Sequence, residues 1–198
     1  LGRSKIGELF ALVGYTELFL GENMCSGIPM GNIVAGEPNY GQPLATGEIF
    51  ARAIAHFDSA LAYATDSVRI LNFARIGQGR ALLDAGRSAD AASAIIGVPT
   101  AYAYVTYHAA SQPNGVFGIT NNSRFITVAD RDGGNGLNFR SAVDPRVQTT
   151  LIGKGVDGVT DVYAFTRYNS LAAPITLASG IEARLIEAEA TLRNADPS

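Results

Sequence analysis

The chain has 198 residues, of which 47% are hydrophobic and 17% charged. Disorder requires low hydrophobicity and high charge, so this composition predicts a globular chain that is long enough for a full core. The net charge of −3 is spread along the chain, and the lack of a basic stripe excludes nucleic acid as an expected partner. One cysteine and two histidines are too few for a four-ligand zinc site. Without a run of about 18 apolar residues, no membrane-spanning helix is expected.

The first part of the chain has the spacing of amphipathic helices. In residues 4 to about 20, apolar side chains recur at three- and four-residue intervals, which predicts a helix. Glycine, proline and asparagine then interrupt residues 21–47, and we expect a long loop there. Thr46 is a candidate N-cap for a second helix that has Glu48 in its first turn and continues to about Ala64.

Two more helices are predicted before residue 97. Asp66 or Ser67 can cap the first of them, and Gly86 can end it in a left-handed conformation. A shorter helix from Ser88 to about Ile96 follows. Small residues recur in this stretch and would let helix axes approach closely: Ala74, Gly77, Gly79, Ala81, Ala85, Ala91, Ala92 and Ala94. Residues 1–97 are therefore predicted to form stacked helical hairpins.

Residues 98–178 lack this helical spacing and have a different residue pattern. Segments 124–128 and 162–165 favour short strands, and glycine and asparagine fill the gaps between them. Helical periodicity returns in residues 179–193, with Ser179 as a candidate cap and Glu182 as its capping-box partner. The fold class predicted is mainly α, with tetratricopeptide-like helical hairpins and an irregular, partly β middle region.

Several short segments, taken in their order along the chain, resemble those of a known protein family. The helix-turn-helix sequence ALLDAGRSADAA (81–92) is similar to the turn of a tetratricopeptide repeat. The others are CSGIPM (25–30), QPLATGEIF (42–50) with its helix to residue 61, DPR (144–146), FTRY (165–168) leading to Pro174 and Ile175, and IEARLIEAEA (181–190). In this succession the chain resembles the SusD/RagB family of outer-membrane nutrient-binding lipoproteins, which are built on tetratricopeptide-like helices.

The resemblance implies a location and a role. Family members are more than twice this long and begin with a lipidated cysteine, whereas Cys25 lies mid-chain, so we interpret residues 1–198 as an internal fragment of a single SusD-like domain. The expected location is the cell-surface face of a bacterial outer membrane, with the lipid anchor outside this chain. The expected role is to bind a nutrient, an oligosaccharide or a peptide, and to deliver it to a TonB-dependent transporter without catalysis or a cofactor.

Candidate ligand residues follow from the chemistry of sugar recognition, which needs flat apolar rings beside polar side chains that bond hydroxyl groups. The candidates are Tyr102, Tyr104, Tyr107, Asn121, Asn122 and Arg124 in the middle region, with Asn39 and Tyr40 in the early loop. The alternative is that the tyrosines are ordinary half-buried strand residues.

Other motifs favour structural interpretations. Residues 130–136 resemble a calcium loop, but Asn135 is one position late and Ser141 occupies the twelfth place, which favours a polar turn. Gly77 and Gly79 lie inside a helical pattern, so they do not indicate a dinucleotide site. Several titratable residues are expected to be locally bonded or to face solvent, and not to form a catalytic or metal site. They are His56, His108, Glu182, Glu189 and the pair of Arg184 and Glu187.

Two other functions stay open from the sequence. A tetratricopeptide-type scaffold would bind a protein segment in a helical groove. A glycoside hydrolase fragment would need two carboxylates that converge in a cleft, and no spacing in the chain forces such a pair.

Overall fold

A computed structural model describes residues 1–131 and 134–195 of the chain. These residues form two compact units. Unit 1 contains residues 1–104 and the described residues from 178 onward, and unit 2 contains residues 105–177. Asp132 of the predicted calcium-like loop lies outside the described residues. Within them, no helix combines the length and apolarity needed to cross a membrane.

The described residues form a helix-rich fold with short strands. The helices are α1 (Arg3–Asn23), α2 (Thr46–Tyr63), α3 (Val68–Asp84), α4 (Ser88–Ala94), α5 (Gly115–Phe117) and α6 (Gly180–Ala195). The strands are β1 (Ile28–Pro29), β2 (Asn32–Val34), β3 (Glu37–Asn39), β4 (Pro43–Leu44), β5 (Ala103–Thr106), β6 (Thr149–Lys154), β7 (Asp161–Phe165) and β8 (Ile175–Ser179). The helices predicted before residue 97 and after residue 179 are confirmed.

The helix ends follow the predicted chemistry with one shift. Gly86 has a φ of 75°, the left-handed conformation expected after α3. The Ser179 hydroxyl accepts the backbone N–H of Glu182 at 3.2 Å, as predicted for α6. The N-cap of α2 is Ala45 rather than Thr46, and its N–H donates to the Glu48 carboxylate at 2.7 Å.

Residues 21–47, predicted as one loop, contain short regular elements. The helix α1 continues to Asn23, β1 pairs antiparallel with β4, and β2 pairs antiparallel with β3. Ala35 and Gly36, between β2 and β3, have φ angles of 52° and 90°. Two consecutive positive φ angles are typical of the two-residue turn that connects the strands of a β-hairpin. Turn residues therefore shorten the strands here without abolishing them.

In unit 1 each helix packs against the next helix of that unit along the chain. α1 packs on α2, α2 on α3, α3 on α4 and α4 on α6, while α1 also contacts α3 and α3 contacts α6. The close approach of α1 and α2 depends on Gly7, Gly14 and Gly21, which recur every seven residues on α1. A Cβ on Gly14 would lie 3.1 Å from the Ala53 carbonyl oxygen and 3.2 Å from the Phe57 ring. Side chains at these glycines would push the two helices apart.

The core of unit 1 is built around Phe57, which is fully buried. Its ring lies against Gly14 of α1 and Gly77 of α3, and a Cβ at Gly77 would overlap it. Gly79 is in similar close contact with Ile95. The prediction that small residues in α3 allow close helix packing is confirmed.

Unit 2 contains the antiparallel pair of β6 and β7, with a register shift between Leu151 and Gly153. Strand β7 confirms the predicted strand at 162–165. The segment 124–128 is not a strand: it begins at Arg124 with a left-handed φ of 53°, and beside β7 the Thr127 hydroxyl, rather than a backbone carbonyl, accepts the Tyr163 N–H at 2.9 Å. Asn114 is completely buried, accepts the Phe117 N–H at 3.0 Å and donates to the Ala173 carbonyl at 2.8 Å.

Candidate functional site

Three neighbouring cavities in unit 2 lie on the segments 137–149 and 166–167. Their volumes are about 420, 390 and 300 Å³, and neighbouring cavities share lining residues. We call this surface the arginine groove. Its polar and charged lining residues are Asn138, Arg140, Asp144, Arg146, Gln148, Thr149, Thr166 and Arg167. The larger two cavities fall in the size range of small-molecule sites.

A short turn fixes the centre of the arginine groove. The Asp144 carboxylate caps the 3-10 helix Pro145–Val147 by accepting the backbone N–H of Arg146 at 2.8 Å. The same carboxylate accepts three hydrogen bonds from the Arg146 guanidinium, two from Nε at 2.9 and 3.1 Å and one from Nη2 at 2.5 Å. These side-chain and backbone hydrogen bonds lower the pKa of Asp144 to about 2. Asp144 is therefore ionised at neutral pH and is paired with Arg146, whose side chain is 86% exposed.

The apolar side of the groove carries an exposed aromatic ring. Phe139 is 43% exposed and lines the 420 Å³ cavity together with Asn138, Asp144 and Arg146. An aromatic face next to an amide and an ion pair can cover a sugar ring and bond its hydroxyl groups. This is the combination that the sequence analysis sought among the tyrosines.

The segment that carries Phe139 is anchored by Asp130. One oxygen of its carboxylate accepts the N–H groups of Arg140 and Ser141 at 3.3 and 3.1 Å, and the Ser141 hydroxyl at 3.1 Å. These hydrogen bonds support the polar-turn interpretation of the calcium-like loop. Among the described residues no group of three or more histidine, cysteine or acidic side chains is arranged to hold a metal ion.

Two of the predicted ligand tyrosines belong to unit 1 and are engaged there. Tyr104 is only 4% exposed, stacks on Phe73 with ring centroids 3.9 Å apart and donates its hydroxyl to Glu8 at 2.7 Å. Tyr102 is half-buried and donates to the Arg69 carbonyl at 2.6 Å. The expectation that Tyr104 offers its ring to a ligand is corrected, because both its face and its hydroxyl are occupied.

The other predicted residues are more accessible but do not line the arginine groove. Tyr107 and Tyr40 are 83% and 79% exposed. The remaining four lie as follows: Asn39 bonds Asn32 in the early hairpin, Asn121 accepts the Thr120 hydroxyl, Asn122 is exposed, and Arg124 lines a separate 140 Å³ cavity. The predicted set is therefore not brought together as one surface within either unit.

Polar clusters in unit 1 join helices. Arg80 of α3 makes two hydrogen bonds to Glu22 of α1, at 2.5 and 2.6 Å, and one to Glu182 of α6 at 3.2 Å. Partial burial, a hydrogen bond with Glu22 and the negative charge of Glu22 raise the pKa of Asp84 to about 6. Glu182 was expected on a solvent-facing surface, and this is corrected because it pairs with Arg80 between helices. We interpret this cluster as structural.

His108 is locally bonded, in agreement with the sequence analysis, whereas His56 is bonded between α2 and α1. Nδ1 of His56 lies 2.7 Å from the buried Glu17 carboxylate, which also accepts two hydrogen bonds from Arg52. Nε2 of His108 lies 3.2 Å from the Thr106 hydroxyl. The predicted pair of Arg184 and Glu187 forms at 3.3 Å.

Sequence reasoning assigned none of the groove residues to a site, including Phe139, Asp144, Arg146 and Arg167. One signal was available, since the DPR and FTRY segments quoted for the family resemblance both supply groove residues. Comparison of the chain with protein-family models, with curated proteins and with solved structures finds no match. The functional argument therefore depends on the geometry of the groove.

Proposed function

We propose that the chain binds an oligosaccharide in the arginine groove and holds it without changing it chemically. The observation that carries the proposal is the exposed Phe139 ring beside Asn138 and the ion pair of Asp144 and Arg146, in a cavity of about 420 Å³. Sugars have apolar faces and hydroxyl edges, and this cavity offers a partner for each.

We further propose that this binding serves nutrient uptake of the SusD/RagB type, with delivery to a TonB-dependent transporter at the cell surface. The order of the sequence segments supports this proposal. The helix packing supports it too: each helix of unit 1 contacts its successor, α1 also contacts α3, and α3 also contacts α6. Nearest-neighbour stacking of this kind is typical of tetratricopeptide-like arrays.

The proposal includes no chemical step because of the state of Asp144. Glycoside hydrolysis needs a protonated carboxyl group as general acid and a second carboxylate close by. The pKa of Asp144 is lowered to about 2, so it cannot keep a proton at neutral pH. Asp144 is also the only carboxylate among the described residues that line the groove.

A binding test can use the chain as it is, first on an array of glycans and then by calorimetry with the glycans that bind. We expect Phe139→Ala to weaken binding about tenfold or more, since it removes the aromatic face. Phe125→Ala is the matched control, because Phe125 is 67% exposed and lines a different cavity. Equal losses in both variants, or no glycan bound by the unaltered chain, would contradict the proposal.

A protein-interaction scaffold is the second candidate, and one observation favours it. Helix α6 leaves an apolar stripe exposed, formed by Ile181, Leu185, Ala188 and Leu192. Their spacing of four, three and four residues is that of a coiled-coil seam, which fits an amphipathic helix of a partner. A Leu185→Glu, Leu192→Glu double variant would lose such a partner helix and keep glycan binding, whereas Phe139→Ala would do the reverse.

A further inference from the structure

We propose that the ligand of the arginine groove is an acidic oligosaccharide, one that carries uronic acid carboxylates, and that Arg167 binds a carboxylate. This inference rests on the proposed function and narrows its ligand class. It depends on three features of unit 2: the charge balance of the groove, the availability of Arg167, and the neutral hydrogen-bonding groups around it.

The charge balance of the groove opposes that of the whole chain. Among the described residues, the three cavities are lined by Arg140, Arg146 and Arg167 and by one acidic residue, Asp144, while Asp130 lies behind the lining beside Arg140 and leaves the arginines in excess by one. The chain as a whole has a net charge of −3. A cavity with excess positive charge in an acidic chain favours an anionic ligand, because charge complementarity steers and orients binding.

The three arginines differ in what they already contact. The Arg146 guanidinium is paired with Asp144. That of Arg140 lies 4.0 Å from the centre of the Tyr163 ring. The Arg167 guanidinium lies 5.5 Å from the centre of the Tyr168 ring and forms no ion pair with any carboxylate in the described part of the chain. Arg167 therefore keeps its full hydrogen-bonding fork for a ligand.

Arg167 extends from a defined backbone position beside neutral polar groups. It follows the end of β7, where the backbone N–H of Thr166 donates to the Gln148 carbonyl at 3.0 Å. Gln148 and Thr166 line the same 390 Å³ cavity as Arg167. A guanidinium binds a carboxylate through two parallel hydrogen bonds, and amide and hydroxyl groups can bond the sugar hydroxyls next to it.

Calorimetry with three oligosaccharides of matched length tests this assignment. The ligands are an oligogalacturonate, its methyl ester, which keeps the sugars but has no charge, and a sulfated galactose oligomer. We expect the oligogalacturonate to bind about tenfold or more tighter than the ester, and its affinity to fall as salt increases. Arg167→Gln should remove this preference, while Arg124→Gln, in the separate cavity, should keep it. Circular dichroism of both variants checks that they fold.

The outcomes separate this inference from the proposed function. If acid and ester bind equally and Phe139→Ala weakens both, oligosaccharide binding stands and the acidic ligand class is wrong. Tighter binding of the sulfated oligomer would likewise overturn the carboxylate assignment. If Arg167→Gln keeps the preference of the unaltered chain, Arg167 is not the binding residue. If none of the three ligands binds and the glycan array is also blank, both proposals fail.

Discussion

The two units differ in whether they bury aromatic rings. In unit 1 the aromatic rings of Phe57, Phe73 and Tyr104 are buried, and the buried carboxylate of Glu8 is fully paired. Unit 1 also has exposed rings, at Phe19 and Tyr40, but among the described residues of unit 2 no aromatic ring is buried, and those of Phe125 and Phe139 are exposed. Buried rings and paired charges stabilise a fold, whereas exposed rings and available charges recognise ligands. The comparison fits a stabilising role for the core of unit 1 and the ligand recognition that we propose for unit 2.

The difference has a local cause. Long helices with glycine and alanine on their contact faces bring backbones close together and fill the core with a few large rings. Unit 2 has short strands and turns. Backbone N–H groups in its turns donate hydrogen bonds to individual side chains, such as those of Asp130, Asp144 and Asp157. Irregular segments of this kind place side chains at the surface, where binding residues are common.

Phe57→Ala should have the largest effect, because it removes the ring around which three helices pack. We expect a loss of about 4 kcal/mol in the free energy of unfolding, since the ring is fully buried and leaves a large cavity. Chemical denaturation measures this loss. Phe125→Ala, at an exposed ring, should cost less than about 0.5 kcal/mol. Similar losses in the two variants would break the proposed contrast between units.

Gly77→Ala tests whether close helix packing contributes more than helix propensity to the stability of unit 1. Alanine favours a helix by about 1 kcal/mol over glycine, yet a methyl group at Gly77 would overlap the Phe57 ring. We expect a net loss of about 2 kcal/mol from overpacking. Gly47→Ala is the matched control, because Gly47 is also helical and has no atom within 4 Å of its Cβ position. Thermal denaturation should show Gly47→Ala unchanged or more stable.

The helices were predictable from local sequence, and the site was not. Apolar spacing and small residues depend only on neighbours in the chain, so α2, α3 and α6 follow from them. Tyr104 and Tyr107 have the same alternating pattern, but the first is buried by Glu8 and Phe73, which are distant in sequence. The arginine groove depends on tight turns closed by Asp130 and Asp144, and composition alone does not reveal such turns.

Glu8→Gln removes the charge at the centre of a buried network in unit 1. Burial raises the pKa of Glu8, but hydrogen bonds from Lys5, Tyr104 and Arg69 outweigh it and lower the pKa to about 2. We expect the variant to lose about 2 kcal/mol at pH 7, because the donors lose a charged acceptor. Chemical denaturation at several pH values measures the loss.

The pH dependence of this loss follows from the lowered pKa. A depressed folded-state pKa stabilises the protein above the ordinary carboxyl value of 4.5, and this stabilisation is lost as the pH falls toward about 2. The difference between the unaltered chain and Glu8→Gln should therefore shrink across that interval. A difference that stays constant down to pH 2 would show that the charge of Glu8 contributes nothing to unit 1.

Asn114→Ala tests the stability of unit 2. Of the four variants discussed, we expect it to have the smallest effect on the free energy of unfolding. The side chain is buried and bonds Phe117 and Ala173, so its loss should cost about 1 kcal/mol. Amide hydrogen exchange should become faster in residues 115–122 and stay unchanged in the core of unit 1. Asn122→Ala, at an exposed position, is the control. Faster exchange throughout α2 and α3 would mean that one cooperative core stabilises the chain, and the division of labour between the units would then be wrong.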